Sequence, residues 1–397
     1  MIRKRIAVVS QRYGEEVNGG AESYAKMLAE HLSKYYMVEV LTTTALDYDT
    51  WKPYFKTGTE MINGICVRRF DVLHPRRVLW CKILSHIMNK LPKGFQSRLG
   101  RHWLEIQGPF CPELVQYIDQ HKNDYSSFIF ITYLYYTTVA GMMICPEKAI
   151  LVPTAHDERC IYFPVYRKVF NSPRGIVYLT AAEEQFVERI FKNHKIPHVI
   201  AGSGINIPEY LNSKHSLDKY GIQNEYVVYV GRVDKGKGCF QLFDYFIKYK
   251  KQYLGLLKLV VIGKIMMDIP KCEDIKCLGF IEEREKYELM SAAKALILPS
   301  RFESLSLAVL ESMALGVPVI VNGESQVLVE HCLRSQAGYV YRNYKEFAES
   351  LIKICTENEQ WRKMAQCAKM YVEKNYTWKV TIDQYRTLLE GCIKDEN

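Results

Sequence analysis

Two segments of the sequence combine glycines, cations and carboxylates in patterns suited to a sugar diphosphate. The first is Gly231-Arg232-Val233-Asp234-Lys235-Gly236-Lys237-Gly238. Its glycines keep Cβ atoms away from a ligand, while Arg232 and Lys237 supply charge, Arg as a bidentate fork and Lys as a compact point charge. The second runs from Pro299 through Glu311 and on to Gly316-Val317-Pro318. Ser306 is placed to cap the helix that follows, and the backbone N–H groups of Leu305, Ser306 and Leu307 would face a phosphate. Glu303 precedes this helix and Glu311 lies within it, up to ~12 Å away at about 1.5 Å per residue. That span suits hydrogen bonds to hydroxyls at the two ends of a nucleotide diphospho-sugar.

A third segment, Asn18-Gly19-Gly20-Ala21-Glu22, follows the first strand pattern and opens a helix. Its two glycines permit a tight turn and close approach of a ligand to the helix N-terminus. It is not the dinucleotide-binding Gly-x-Gly-x-x-Gly, and no Walker A sequence occurs. His156 and Asp157 follow an apolar strand pattern at its carboxyl end, although a single histidine in apolar surroundings is more often structural. Asp47-Tyr48-Asp49 is a literal Asp-x-Asp, but it falls in a loop after the second strand pattern. With Arg232 and Lys237 already supplying positive charge, the expectation is no metal and no cofactor.

The elements that must position these residues alternate along the whole chain. Apolar runs at Arg5–Ser10, Val38–Thr43, Ser127–Thr132, Ala149–Thr154, Ile176–Thr180 and His198–Ala201 predict one series of strands. Tyr226–Val230, Lys258–Ile262, Ile275–Leu278, Ala295–Leu298, Pro318–Val321 and Tyr339–Tyr341 predict a second. Helical patterns separate them, so the fold class is α/β with two doubly wound parallel sheets. The breakers between Ser203 and Gln223 mark the junction, giving domains at 1–205 and 206–375. The apolar spacing of Thr377–Ile393 predicts one more helix, after the second domain is complete.

The 397 residues are 48% hydrophobic and 24% charged, which excludes a mostly disordered chain. No apolar run approaches the ~18 residues of a membrane span, and the N-terminus enters a strand pattern without a secretory core. Twelve cysteines occur without any Cys-x-x-Cys, the pattern of reduced thiols in a cytoplasmic protein. The formal charge of +9 is uneven, with 26 Lys+Arg against 19 Asp+Glu in residues 1–200. Within 74–103 seven cations (Arg76, Arg77, Lys82, Lys90, Lys93, Arg98, Arg101) interleave with Trp80, Trp103 and branched aliphatics. Such a stretch suits peripheral contact with an anionic membrane face or an anionic ligand; the other reading is a solvated basic helix. No nucleic-acid-binding motif accompanies the charge.

Taken together, Gly19-Gly20-Ala21-Glu22, His156-Asp157, Gly231-Arg232 with Lys237, the Glu303…Glu311 pair and the Trp378 tail resemble the retaining GT-B glycosyltransferases of family 4, or glycosyltransferase group 1. The resemblance covers nearly the whole chain. It implies two Rossmann-like domains facing across a cleft, with 376–397 crossing back onto the N-terminal acceptor domain. It further implies that Arg232 and Lys237 bind the donor diphosphate, that Glu303 contacts the donor sugar and that Glu311 binds the ribose. Gly231, Ser304, Leu305, Ser306 and Leu307 complete the donor-binding set, Gly19 and Gly20 approach the phosphates, and His156 contacts donor sugar and acceptor. Ser306 departs from the family pattern, which more often has glycine there. The implied activity is transfer from a UDP- or GDP-sugar to a glycan or lipid-linked acceptor, in cell-surface polysaccharide synthesis. Rival readings are a nucleotide-sugar epimerase of the same fold and a non-catalytic nucleotide-binding protein.

Overall fold

The apolar runs become buried strands in a computed structural model that describes residues 3–17 and 19–394. The chain divides into two units, one reaching Ser203 and including Thr381 onward, the other Gly204–Val380. The first unit holds β1 (Arg5–Val9), β2 (Met37–Thr43), β3 (Gly58–Ile62), β4 (Ile65–Phe70), β5 (Ser127–Ile131), β6 (Ala149–Val152), β7 (Gly175–Tyr178) and β8 (His198–Ile200). They form one sheet in the order β3-β4-β2-β1-β5-β6-β7-β8, parallel except for β3. The second unit holds β9 (Tyr226–Val230), β10 (Lys258–Ile262), β11 (Ile275–Gly279), β12 (Ala295–Leu298), β13 (Val319–Asn322) and β14 (Gly338–Tyr341). Their order is β11-β10-β9-β12-β13-β14, all parallel. Strands β5, β6, β12 and β13 are buried along their whole length, because helices cover both faces of a parallel sheet.

Each sheet has a switch point where its strand order reverses, between β1 and β5 in the first and between β9 and β12 in the second. Ligands of doubly wound folds bind beyond the carboxyl ends of the strands at this point. The loop 231–238 leaves β9 and the loop 299–306 leaves β12, so the segments carrying Arg232, Lys237 and Glu303 flank the second switch point. The Gly19-Gly20 turn follows β1, and His156 follows β6.

Four features differ from the sequence expectation. The β3–β4 hairpin was not anticipated, though Asn63-Gly64 between its strands is a turn signal. Both residues take positive φ, 50° and 78°, as a two-residue hairpin turn with matching twist requires. The basic stretch is two helices, Val78–Lys90 and Lys93–Gln107; Pro92 lacks the N–H needed to continue the first. Trp103 is buried, with its indole N–H donating to Ser85 Oγ at 2.8 Å, and Arg76 Nε donates to the Gln107 carbonyl at 2.9 Å. Neither belongs to the exposed face of these helices. Finally, a helix at Ser213–Lys219, capped by the Asn212 side chain, occupies the junction segment.

The tail forms helix Trp378–Lys394, and its residues from Thr381 belong to the N-terminal unit. Tyr385 is fully buried there, its hydroxyl 2.7 Å from that of Tyr24. A Cβ at Gly175 would stand 3.2 Å from the Leu388 methyls. Among the described residues no helix is long and apolar enough to cross a membrane, and the eleven described cysteines are unpaired.

Candidate functional site

In the C-terminal unit, the loop after β9 is held by Asp234, whose Oδ1 accepts the Lys237 backbone N–H at 2.7 Å and whose Oδ2 pairs with the Arg232 guanidinium. The Tyr229 hydroxyl fixes the Arg232 carbonyl at 2.7 Å. Gly238 has φ +77°, and a Cβ there would meet the Pro299 carbonyl oxygen at 2.5 Å. Only glycine lets the two loops lie this close. Asn322 at the end of β13 donates to that same carbonyl at 2.9 Å.

Across this contact Lys237 Nζ bonds Glu303 Oε1 at 2.7 Å, with the Glu303 side chain 11% exposed. The structure thus joins Arg232, Lys237 and Glu303 through Asp234 into one charged network at the second switch point. Glu311, in helix Leu307–Ala314, lies apart from it in a different net. Its carboxylate takes Lys286 Nζ at 3.0 Å and 3.1 Å and the Tyr287 hydroxyl at 3.0 Å. These bonds satisfy a carboxylate that the sequence places beside an apolar stripe. Burial and the Glu311 charge raise the Tyr287 phenol, keeping it a donor.

Ser306 does not cap its helix by its side chain. It adopts φ +66°, a left-handed conformation, with no side-chain cap hydrogen bond. A residue at positive φ is where glycine is least strained, which accounts physically for the family preference noted above. Beside it, the buried His331 holds the Leu305 carbonyl through Nε2 at 2.7 Å, while Nδ1 meets the Tyr371 hydroxyl at 3.1 Å. A carbonyl requires a donor, so Nε2 carries the proton and Tyr371 donates to Nδ1. Burial pushes the imidazole pKa down and keeps it neutral. Sequence reasoning missed Lys286, Tyr287 and His331, because each meets its partner only through the tertiary fold.

In the N-terminal unit, Gly19 caps helix Gly20–Leu32, and a Cβ on it would stand 2.1 Å from Glu22 Oε2. Glu22 is buried and accepts from Gln11 Nε2 at 2.9 Å, Arg12 Nε at 3.0 Å and Arg12 Nη2 at 2.7 Å. The glycine turn therefore rests on a buried ion pair, and Gly20 has no atom within 4 Å of a built Cβ. Asn18 lies outside the described residues. His156 is half-buried, with Nε2 3.7 Å from Glu158 Oε1, which also accepts from the Tyr133 hydroxyl at 2.7 Å. Asp157 accepts from the exposed Tyr162 at 2.8 Å. Asp47 is engaged by its own turn, taking the Thr50 N–H at 2.7 Å and the Thr50 hydroxyl at 2.5 Å.

Ahead of His156 sits a residue that sequence reasoning passed over. Glu183 is fully buried, and its carboxylate accepts the Ala155 N–H at 2.5 Å and the Leu179 N–H at 2.6 Å. It therefore ties the segments leaving β6 and β7 to each other. Burial without a cation partner pushes its pKa up to about 8, against those two N–H donors.

Residues 213–370 match the family model for glycosyl transferases group 1. The chain is 29% identical to the glycosyltransferase 1 domain-containing protein 1 of Xenopus tropicalis over 45% of this chain and 54% of that one. It is 22% identical to a glycosyltransferase of Methanocaldococcus jannaschii over 97% of this chain and 99% of that one. Its fold is similar to sucrose-phosphate synthase from Thermosynechococcus elongatus, with TM-score 0.73 and 16% identity over 99% and 100% of the two chains. It is also similar to Anabaena HepE, solved with UDP and glucose, with TM-score 0.70 and 15% identity over 97% and 99%. These likenesses define a GT-B fold. Over residues 213–370 the chain is similar to the group 1 glycosyl transferases.

Proposed function

We propose that the chain transfers a hexose-like unit from a UDP- or GDP-sugar to a glycan or lipid-linked acceptor with retained configuration, in cell-surface polysaccharide synthesis. The observation that carries this reading is the Lys237–Glu303 pair beside Arg232 at the second switch point. The crystal complex of HepE with UDP and glucose supports the nucleotide class. In the proposed reaction Arg232 and Lys237 neutralise the charge that grows on the departing diphosphate. Lys237 then shares its charge between phosphate and Glu303, freeing the carboxylate's other lone pairs for the sugar hydroxyls. Glu311, held by Lys286 and Tyr287, takes the ribose hydroxyls. The N-terminal unit is the acceptor domain, with Gly19, Gly20 and His156 as contact residues, and the leaving diphosphate takes the acceptor proton. Incubation with labelled UDP- and GDP-sugars and glycan or lipid-linked acceptors tests the reading by product anomer and released nucleotide. Isomerisation of the sugar nucleotide without an acceptor would replace it by the epimerase reading.

Transfer is proposed to need neither metal nor cofactor, since side-chain cations face the phosphates. Activity is expected to persist in excess EDTA. Complete loss, restored by manganese or magnesium, would refute this and turn attention to Asp47 and Asp49.

Helices Val78–Lys90 and Lys93–Gln107 are further proposed to rest on an anionic membrane, bringing the acceptor domain to its substrate from the cytoplasmic side. Leu79, Trp80, Ile83, Ile87 and Phe95 are exposed, and the first four fall on neighbouring positions of one helix. Exposed Arg77, Lys82, Lys90, Lys93, Arg98 and Arg101 surround them. Each such cation contributes on the order of 1 kcal/mol near an anionic surface. Wild type should pellet with anionic liposomes at low salt and be released at 1 M, where the Debye length is about 3 Å. A variant with Arg77, Lys82 and Lys90 changed to Gln should stay in solution; equal pelleting by both proteins would refute the proposal.

A further inference from the structure

A cavity of about 580 Å³ opens between the first turn of helix Lys93–Gln107 and the last turn of helix Tyr166–Asn171. Lys93, Arg167 and Lys168 line it with Ser97, Asn171 and Ser172, over a floor that includes Phe191 and Pro164, and no carboxylate is among its lining residues. All three cations are exposed, and among the described residues none forms an ion pair with a carboxylate. Three like charges around one concavity repel each other unless an anion sits among them.

One wall of the cavity is the first turn of helix Lys93–Gln107. Helix Lys93–Gln107 starts with no side-chain cap and no acid in its first turn. Phe95 and Gln96 direct their N–H groups to the Pro92 carbonyl, whereas Gly94 has no atom within 4 Å of a built Cβ. The cavity lies where the chain descends from helix Tyr166–Asn171 towards the start of β7, and where helix Ala181–Phe191 ends. It is thus at the amino ends of the strands, opposite the Gly19-Gly20 turn and His156, and separate from the candidate acceptor region. Lys93 and the neighbouring exposed Phe95 belong also to the apolar and basic face of the helix pair.

We propose that this cavity is a binding site for a phosphate monoester, carried by the headgroup of an anionic lipid. Arg167 grips two phosphate oxygens through its fork, and Lys93 and Lys168 neutralise the second charge. The lipid source rests on the membrane reading above; the phosphate chemistry rests on the cavity alone.

The test compares vesicles of phosphatidylcholine mixed with phosphatidic acid, which exposes a monoester, or with phosphatidylglycerol, which does not, at matched zeta potential. A parallel arm titrates soluble sn-glycerol 3-phosphate by calorimetry. Wild type should bind phosphatidic acid vesicles at least five-fold more tightly. Arg167→Gln/Lys168→Gln, whose changes lie on the surface, should lose that preference, melt at the wild-type temperature and still pellet with phosphatidylglycerol. Equal binding of both vesicle types by wild type, or a preference retained by the variant, overturns the site while leaving membrane docking intact. If wild type ignores all vesicles yet binds glycerol 3-phosphate, and the variant does not, the phosphate site stands and the membrane reading falls. Binding in neither arm overturns both.

Discussion

Lys237→Ala is expected to lower kcat/KM for transfer by about 100-fold or more, the usual effect of removing one group that stabilises charge in the transition state. Two consequences of the geometry act in the same direction. The ammonium proposed to face the diphosphate is lost, and Glu303, 2.7 Å from it and largely buried, is left without its cation. An unpaired carboxylate would then repel the phosphate that Lys237 is proposed to hold. Lys237→Arg should retain part of the rate, since it keeps the charge with a different reach. Steady-state kinetics on protein of unchanged melting temperature provide the test. Wild-type turnover in folded Lys237→Ala would remove the residue from the reaction.

The second large effect is on stability. Glu183→Ala leaves the buried N–H groups of Ala155 and Leu179 without acceptors and opens a cavity, which together cost about 3–5 kcal/mol. The same carboxyl gives the N-terminal unit a pH dependence of defined sign. Its pKa rises from 4.5 to about 8 on folding, so between these values the native state holds a proton that the unfolded chain has released. Stability must therefore fall as pH rises from about 5 to 8, because the native state binds more protons. Urea unfolding of wild type across this range should show the decline, and Glu183→Gln, which cannot titrate, should flatten it. A Glu183→Gln profile as steep as wild type would assign the dependence to other groups.

The legible parts of the molecule are those where chemistry is local in sequence. The loop 231–238 could be read because its glycines and cations sit at the end of one apolar run, and the loop 299–306 for the same reason. The partners that hold those loops could not be read. Glu311 meets Lys286 and Tyr287 across two helices, and His331 reaches Leu305 from a helix whose sequence shows only one more histidine among apolar neighbours. Ser306 was misjudged because a serine before a helix suggests a side-chain cap, whereas backbone conformation governs here. Glu183 looked like an ordinary acidic residue in a first helical turn. Its two N–H partners leave different strands, and only the sheet order brings them to one carboxylate. The hairpin at Gly58–Phe70 was passed over because its outer strand is exposed and short, although Asn63-Gly64 marked the turn.

The central claim is that the second switch point holds a nucleoside diphosphate sugar through Arg232 and Lys237. Calorimetric titration of UDP-, GDP- and ADP-sugars in EDTA, into wild type and Arg232→Ala/Lys237→Ala, tests it most directly. Charge-assisted hydrogen bonds contribute about 1.5–3 kcal/mol each. One nucleotide class should therefore bind wild type with one-to-one stoichiometry, and the double variant should bind it at least 100-fold more weakly. Failure of every sugar nucleotide to bind wild type, or equal affinity in the double variant, would contradict the claim.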